Sequence, residues 1–187
     1  KNTIEDQNGT IVIDTFIPYD GNVATQHGGA IYNDGTIVNI TGVGLYENTA
    51  VQQGGGIYNS GEMLAQNVIF GFNEAGGNGG GVYNSGTTQN TSLINAVYFR
   101  NEATGNGGGL YHSASTTLSL HHNTFNRNSA NEGGGLYNAH FDLTLNSTIF
   151  YSNTASGGSA GGGVWSAASG TLAFNNFFGN TPFQANI

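Results

Sequence analysis

The sequence contains no cysteine, two prolines and three basic residues in 187 positions. Without cysteine there is no disulfide framework, no thiolate zinc site and no cysteine nucleophile. Only Lys1, Arg100 and Arg127 are positive and the formal charge is −8, so a run of phosphates cannot be neutralised. Nucleic-acid binding is excluded on that ground, and an anionic membrane surface is disfavoured. No stretch approaches the roughly eighteen apolar residues of a membrane-spanning helix, so no membrane insertion is expected of this chain. Its first residues, Lys1 to Asp6, lack the basic-then-apolar layout of a signal peptide, so an exported chain whose signal has already been removed is expected. Charged residues make up 7%, against about 25% in ordinary domains. Disordered chains are charged and poor in aromatics; here aromatics reach 11%, and the chain should fold.

What the chain has in abundance is glycine, 32 residues, and asparagine, 26. Glycine shows no strict three-residue period, which excludes collagen. One hexapeptide recurs six times: Gly28-Gly-Ala-Ile-Tyr-Asn33, Gly54-Gly-Gly-Ile-Tyr-Asn59, Gly79-Gly-Gly-Val-Tyr-Asn84, Gly107-Gly-Gly-Leu-Tyr-His112, Gly133-Gly-Gly-Leu-Tyr-Asn138 and Gly161-Gly-Gly-Val-Trp-Ser166. The starts lie 26, 25, 28, 26 and 28 residues apart. A second motif, an aromatic or leucine three residues before an asparagine, keeps the same phase: Tyr19…Asn22, Leu45…Asn48, Phe70…Asn73, Tyr98…Asn101, Phe125…Asn128, Phe150…Asn153 and Phe177…Asn180. Alanine follows that asparagine by two in the first six copies, and Pro182 replaces it in the last. Two motifs locked in phase over the whole chain define a repeat protein.

Between the motifs lie short alternating runs such as Thr117-Leu-Ser-Leu120 and Leu143-Thr-Leu145. Period-two alternation broken by glycine and asparagine reads as short strands. No helical start or stop signal surrounds a 3.6-residue period. Some 26 residues per repeat therefore predict an all-β parallel β-helix, a right-handed β-solenoid of about seven coils, each with three short strands and three corners. The whole chain, 1–187, is a single such domain, with 1–9 and 183–187 as terminal segments that are candidate clasps on neighbours.

Stacking accounts for the composition. Ile31, Ile57, Val82, Leu110, Leu136 and Val164 form one inward column, and the aromatic or leucine of the second motif forms another. The glycine pairs sit at a corner that demands positive φ or close approach between coils. Asn22, Asn48, Asn73, Asn101, Asn128, Asn153 and Asn180 form an amide ladder, each donating to one neighbour and accepting from the other. Asn33, Asn59, Asn84, His112 and Asn138 read as a second. A charged column would repel itself at the roughly 4.8 Å strand spacing, whereas an amide column attracts.

The paired Gly-Gly-(Ala or Gly)-(Ile, Val or Leu) and Phe-x-x-Asn motifs, over about residues 16 to 182, resemble those of the polymorphic outer membrane proteins of chlamydiae and related right-handed β-helix surface proteins. The resemblance implies a β-helix passenger displayed outside the cell, often serving adhesion. This chain has Gly-Gly-Gly where the family often has Gly-Gly-Ala, and nothing in it reads as the family's C-terminal membrane barrel.

Chemistry is sparse. Polysaccharide lyases and hydrolases on this architecture need convergent carboxylates or a basic residue. The acids here fall in different columns, except Glu74 and Glu102, which follow the ladder asparagine in adjacent coils and are read as two solvated side chains. His112 and His140 could meet across neighbouring coils as a metal or pH-sensitive pair, and the favoured reading is a ladder histidine beside a surface one. Gly76-Gly-Asn-Gly-Gly-Gly81 lacks the aspartate of calcium-binding nonapeptides. No catalytic residue, cofactor or metal is expected, and the chain is read as not an enzyme. Four Asn-x-Ser/Thr sequons, at Asn8, Asn39, Asn90 and Asn146, match chance for this composition.

The expected function is that of an extracellular or cell-surface structural protein, a homopolymer whose subunits join head to tail into a surface filament. The assembly edges are Ile11, Ile13, Phe16 and Ile17 at one end and Leu172, Phe174, Phe177 and Phe178 at the other. The alternative is a surface adhesin that binds glycans or cell surfaces through an outward aromatic stripe, Tyr32, Tyr58, Tyr83, Tyr111, Tyr137 and Trp165.

Overall fold

The computed structural model describes residues 4–6, 10–13, 19–34, 37–86, 91–140, 142–157, 161–167 and 170–186. Each repeat contributes one strand to each of four parallel sheets, which hold eight, seven, seven and six strands. The hexapeptide ends in the first sheet, exemplified by Ile57–Asn59; the alternating run forms the second, Glu62–Gln66; the aromatic motif forms the third, Ile69–Gly71; and the ladder asparagine is followed by the fourth, Glu74–Ala75. We call these the hexapeptide, alternating, aromatic and alanine sheets. Strands pair only with their counterparts one repeat away, as Val82 does with Ile57 and Leu110, and Phe70 with Leu45 and Tyr98. The chain is a parallel β-solenoid of six complete four-strand turns and a seventh whose last side is the single bridge from Thr154 to Thr181. No helix occurs among the described residues.

The sequence predicted three strands per coil, and the structure has four. The additional strand is the two-residue step after each ladder asparagine, such as Thr49–Ala50 or Ser129–Ala130. Its alanine faces the interior and is nearly fully buried at Ala50, Ala75 and Ala103. Only a small side chain fits there, which is why alanine keeps the phase of the asparagine.

The core is built of columns. Ile31, Ile57, Val82, Leu110, Leu136 and Val164 are all fully buried, and Phe70, Tyr98, Phe125 and Phe150 stack face on face with centroids 4.3 to 4.8 Å apart. A third column in the alternating sheet runs from Ile40 through Ala65, Leu93, Leu120 and Leu145 to Leu172. Burying one such side chain contributes about 1.5–3 kcal/mol, and no single coil could bury its own inner face.

The glycine run divides its work by position. Gly54 has φ of 70°, and Gly28, Gly79, Gly107 and Gly133 have φ of 59° to 71°, whereas Gly161, the counterpart in the sixth hexapeptide, lies within the strand Gly161–Ser166 and is not left-handed. Gly55 is constrained instead by its neighbours: a Cβ there would lie 2.5 Å from Glu74 O and closer still to Gly80 O, the carbonyl of the next coil. Two further corners are left-handed without requiring glycine. The residue before each ladder asparagine has φ of 52° to 57° at Glu47, Phe72, Arg100, Arg127 and Ser152, and a second such column holds Asn67, Asn95, His122, Ser147 and Phe174 at 51° to 58°. Each costs about 1–2 kcal/mol for a non-glycine residue, a cost the flanking strands offset in every coil.

Candidate functional site

The asparagine ladder is continuous. Each Nδ2 donates to the Oδ1 of the next coil, from Asn22 to Asn48, Asn73, Asn101, Asn128, Asn153 and Asn180, at 2.9 to 3.0 Å. The same Oδ1 also accepts the backbone N–H of the preceding asparagine, at 3.0 Å from Asn48 to Asn73. The remaining amide hydrogen donates to the carbonyl of the aromatic motif one coil back, as from Asn101 to Phe70 and from Asn128 to Tyr98. Every interior amide thus satisfies two donors and two acceptor directions in a site closed to water, with Asn48, Asn73, Asn101, Asn128 and Asn153 fully buried.

The two ends of this ladder differ. At the first coil Asn22 is buried, yet its Oδ1 has no hydrogen-bond partner. At the last coil Asn180 finds one within its own chain: its Nδ2 and backbone N–H donate to Gln184 Oε1 at 3.0 and 3.3 Å, and Gln184 Nε2 returns a bond to Asn180 O. Gln184 lies on Phe183–Asn186, the outermost strand of the hexapeptide sheet.

Of the expected assembly edges, Ile11 and Ile13 lie on Thr10–Ile13, the outermost strand of the alternating sheet at one end. Phe16 and Ile17 lie outside the described residues. At the other end Leu172 and Phe177 occupy core columns, and the outermost position shows in their exposure: Leu172 is 42% exposed where its partner Leu145 is fully buried. Phe174 and Phe178 do not face the interior. Phe174 sits at a left-handed corner, 89% exposed, and Phe178 points sideways against Tyr151. The terminal segments thought to be clasps each contain a strand, Ile4–Asp6 and Phe183–Asn186.

The aromatic stripe is a stack. Tyr32, Tyr58, Tyr83, Tyr111 and Tyr137 lie 5.1 to 5.2 Å apart with planes within 13° of parallel, and Trp165 continues the stack at 4.3 Å. His27 lies against Tyr58 at 4.7 Å. Rings spaced like the strands have their normals along the solenoid, so they show edges to the solvent and cover one another's faces. Burial raises the hydroxyl pKa of Tyr58, Tyr111 and Tyr137 above its ordinary value, partly offset by hydrogen bonds with Ser85, Ser113 and Asn106 respectively.

His112 is fully buried in the second ladder. Asn84 Nδ2 meets its Nδ1 at 2.9 Å and its Nε2 meets Thr116 O at 3.2 Å. An amide N–H donor on one side and a carbonyl on the other define a neutral ring protonated at Nε2. Burial pulls its pKa down to about 4, with the charge of His140 acting in the same direction and the Thr116 bond against it. Glu74 and Glu102 are direct register partners in the alanine sheet, beside an open groove of about 350 Å³ lined also by Thr49, Val51 and Thr104. Among the described residues no three His, Asp or Glu side chains gather closely enough to hold a metal ion.

Sequence reasoning overlooked one further set of amides. Ala96 N donates to Asn123 Oδ1 at 2.7 Å and Asn123 Nδ2 to Leu93 O; Thr148 N donates to Asn175 Oδ1 and Asn175 Nδ2 to Leu145 O. The column begins Val43, Val68, Ala96, so only its last coils use amides.

With this geometry in view, comparison with known proteins shows a likeness to a repeat family. Residues 20–34 match the Chlamydia polymorphic membrane protein (Chlamydia_PMP) repeat. The matched span covers Asn22 and the glycine corner of the first hexapeptide, a pair of elements that recurs five more times along the chain. No curated protein and no solved structure matches the chain. The repeat together with the parallel solenoid is consistent with a passenger of the polymorphic membrane protein kind, and it points to a surface or outer-membrane-associated protein.

Proposed function

We propose that the chain is a non-enzymatic extracellular structural protein, a solenoid subunit that joins copies of itself head to tail into a surface filament. The observation that supports this reading is the self-compatibility of the columns, with the core column from Ile40 to Leu172 and the asparagine ladder from Asn22 to Asn180 each stacking unbroken from coil to coil. An edge that displays core side chains and unpaired strand backbone is completed by another coil of the same shape. Because the two ends of a parallel solenoid are different surfaces, contact between them is heterologous and propagates as a fibre. The low charge supports the same reading, since stacked coils of one molecule and of two molecules obey the same self-compatibility.

Glycan binding through the aromatic stripe has less support. A sugar stacks on a ring face, and here the faces of the inner rings are occupied by neighbouring rings.

Electron microscopy and sedimentation of the purified chain over a concentration series test the filament. Fibres above a critical concentration are expected; monomers at every concentration overturn the reading. Ile13→Lys places a charge on the outermost strand of the alternating sheet and should abolish fibres while the inner coils keep their circular dichroism.

A further inference from the structure

Two arginines break the rule that the rest of the chain keeps. Stacked positions avoid charge, yet Arg100 and Arg127, two of the three basic residues in the sequence, occupy the same corner position in consecutive coils, each just before a ladder asparagine. That sets them one strand spacing apart, roughly 4.8 Å along the backbone, where like charges destabilise one another. Both are exposed. Among the described residues neither guanidinium forms an ion pair or a hydrogen bond with the protein. Arg100 instead lies over the rings of Phe72 and Phe99, 5.7 and 5.2 Å from their centroids, which leaves its N–H fork unused. An anion shared by both arginines relieves their repulsion.

The neighbouring aromatic sheet carries a flat ring on its outer face. Tyr46 is in register with Gly71, and Gly44 precedes it by two on the same face. A Cβ on Gly71 would lie 2.7 Å from Tyr46 Cδ1, and one on Gly44 would lie closer still to Tyr46 Cε2, on the opposite side of the ring. Contact at both sides means that the ring lies flat across two strands, with one face on the glycines and the other toward solvent. In the stack from Tyr32 to Trp165, by contrast, the rings cover one another. Phe72 is 41% exposed and meets Phe99 edge to face at 5.1 Å. Tyr46, Phe72, Arg100 and Arg127 belong to the second, third, fourth and fifth coils, so the row spans three strand spacings, roughly 14 Å.

We propose that this row binds an oligosaccharide in which one acidic sugar adjoins neutral ones. The carboxylate of the acidic sugar accepts N–H bonds from Arg100 and Arg127, and the apolar C–H face of a neutral neighbour stacks on Tyr46 and Phe72. A pyranose is about as long as one strand spacing, so a short glycan laid along the rod reaches both groups. Glu47, exposed at the corner of the Tyr46 coil, repels a second acid at that end, and the formal charge of −8 works against a polyanion with an acid on every sugar. The site lies on the side of the rod, so monomer and fibre display it alike and it does not depend on the filament reading.

Nuclear magnetic resonance titration of the full chain tests it. Sialyllactose and a glucuronic acid-bearing xylo-oligosaccharide serve as acidic probes, with lactose and the unsubstituted xylo-oligosaccharide as their neutral counterparts. At least one acidic probe should bind saturably and about tenfold or more tightly than its counterpart, and the pair that responds identifies the acid. Arg100→Asn and Arg127→Asn place a residue suited to the left-handed corner and should each weaken binding about tenfold, the scale of a lost charge-assisted hydrogen bond. Tyr46→Ala should weaken it by a similar factor with circular dichroism unchanged. No binding of either acidic probe, equal binding of acidic and neutral probes, or binding that survives the arginine or Tyr46 substitutions overturns the proposal. So does a preference for dextran sulfate or phosphatidylserine vesicles over both oligosaccharides.

Discussion

His112 occupies a rung of the second amide ladder without passing it on: the Oδ1 of Asn138, directly in register on the next coil, is buried and has no hydrogen-bond partner. An asparagine at that rung would donate to Asn138, as Asn59 donates to Asn84 at 2.6 Å. The imidazole directs its one N–H to Thr116 O instead. Restoring the rung with His112→Asn should stabilise the fold by about 1 kcal/mol at neutral pH, the order of one hydrogen bond made to an otherwise unsatisfied buried group, as read from urea unfolding midpoints.

The same residue makes stability depend on pH. The folded state holds His112 neutral down to about 4, while the ordinary value is 6.5. Between those values the unfolded chain binds a proton that the folded chain does not, so stability is complete above 6.5 and declines as the pH falls toward 4. At 1.36 kcal/mol per pKa unit the loss amounts to about 3 kcal/mol. Unfolding free energies at pH 7.5 and 4.5 should differ in the wild type, and His112→Asn should remove most of the difference; an equal slope in both would refute the assignment.

Tyr98 stands in a column of phenylalanines, fully buried, and its hydroxyl has no hydrogen-bond partner. Burial raises its pKa far above the ordinary tyrosine value. Tyr98→Phe removes the unsatisfied hydroxyl and keeps the stack, and should raise stability by about 1 kcal/mol. A decrease on thermal unfolding would show that the hydroxyl has a role the packing does not display.

Gly55 and Gly21 separate the two reasons for glycine. Gly55→Ala drives a methyl group into backbone of the next coil and should cost about 3 kcal/mol or more. Gly21 has φ of 61° and no atom within 4 Å of a Cβ, so Gly21→Ala should cost only the left-handed penalty of about 1 kcal/mol. Comparable losses from the two would contradict the division of roles.

Asn101 lies mid-ladder and accepts from Asn73 N and Nδ2 while donating to Phe70 O and Asn128 Oδ1. Asn101→Ala strands several buried polar groups at once, and a loss of about 4 kcal/mol is expected at 1–3 kcal/mol per stranded group with partial relaxation. Hydrogen exchange should locate the opening at the coils of Asn73 and Asn128; uniform loss of protection along the rod would argue against a local effect.

Repetition is why so much of this protein is readable from its residues. In a parallel solenoid each position is copied onto itself one strand spacing away, so a period in the chain becomes a column in space. Asn22 through Asn180 could be recognised as a ladder, Ile31 through Val164 as core, and the shortage of charge as a condition of stacking, all without coordinates.

Where a column's chemistry varies, reading along the chain failed. The left-handed corners carry Glu47, Phe72, Arg100 and Ser152 in one column, because their conformation is imposed by the strands on either side and leaves no common residue type. The amides of Asn123 and Asn175 sit in a column that begins with valines. The two-residue strands were too short to alternate. Whether an outward tyrosine offers its face or its edge depends on the next coil's ring, which only the three-dimensional stack supplies.

The ends were the least legible part, since there the chain meets something other than its own repeat. That Gln184 takes the acceptor place on Asn180, and that Asn22 Oδ1 has no donor, follow from tertiary contacts alone. The repeat set the coil, its core and its ladders through local self-compatibility. The tertiary structure decided how the outermost rungs are satisfied, because there an asparagine faces a side chain such as Gln184 that the repeat does not supply.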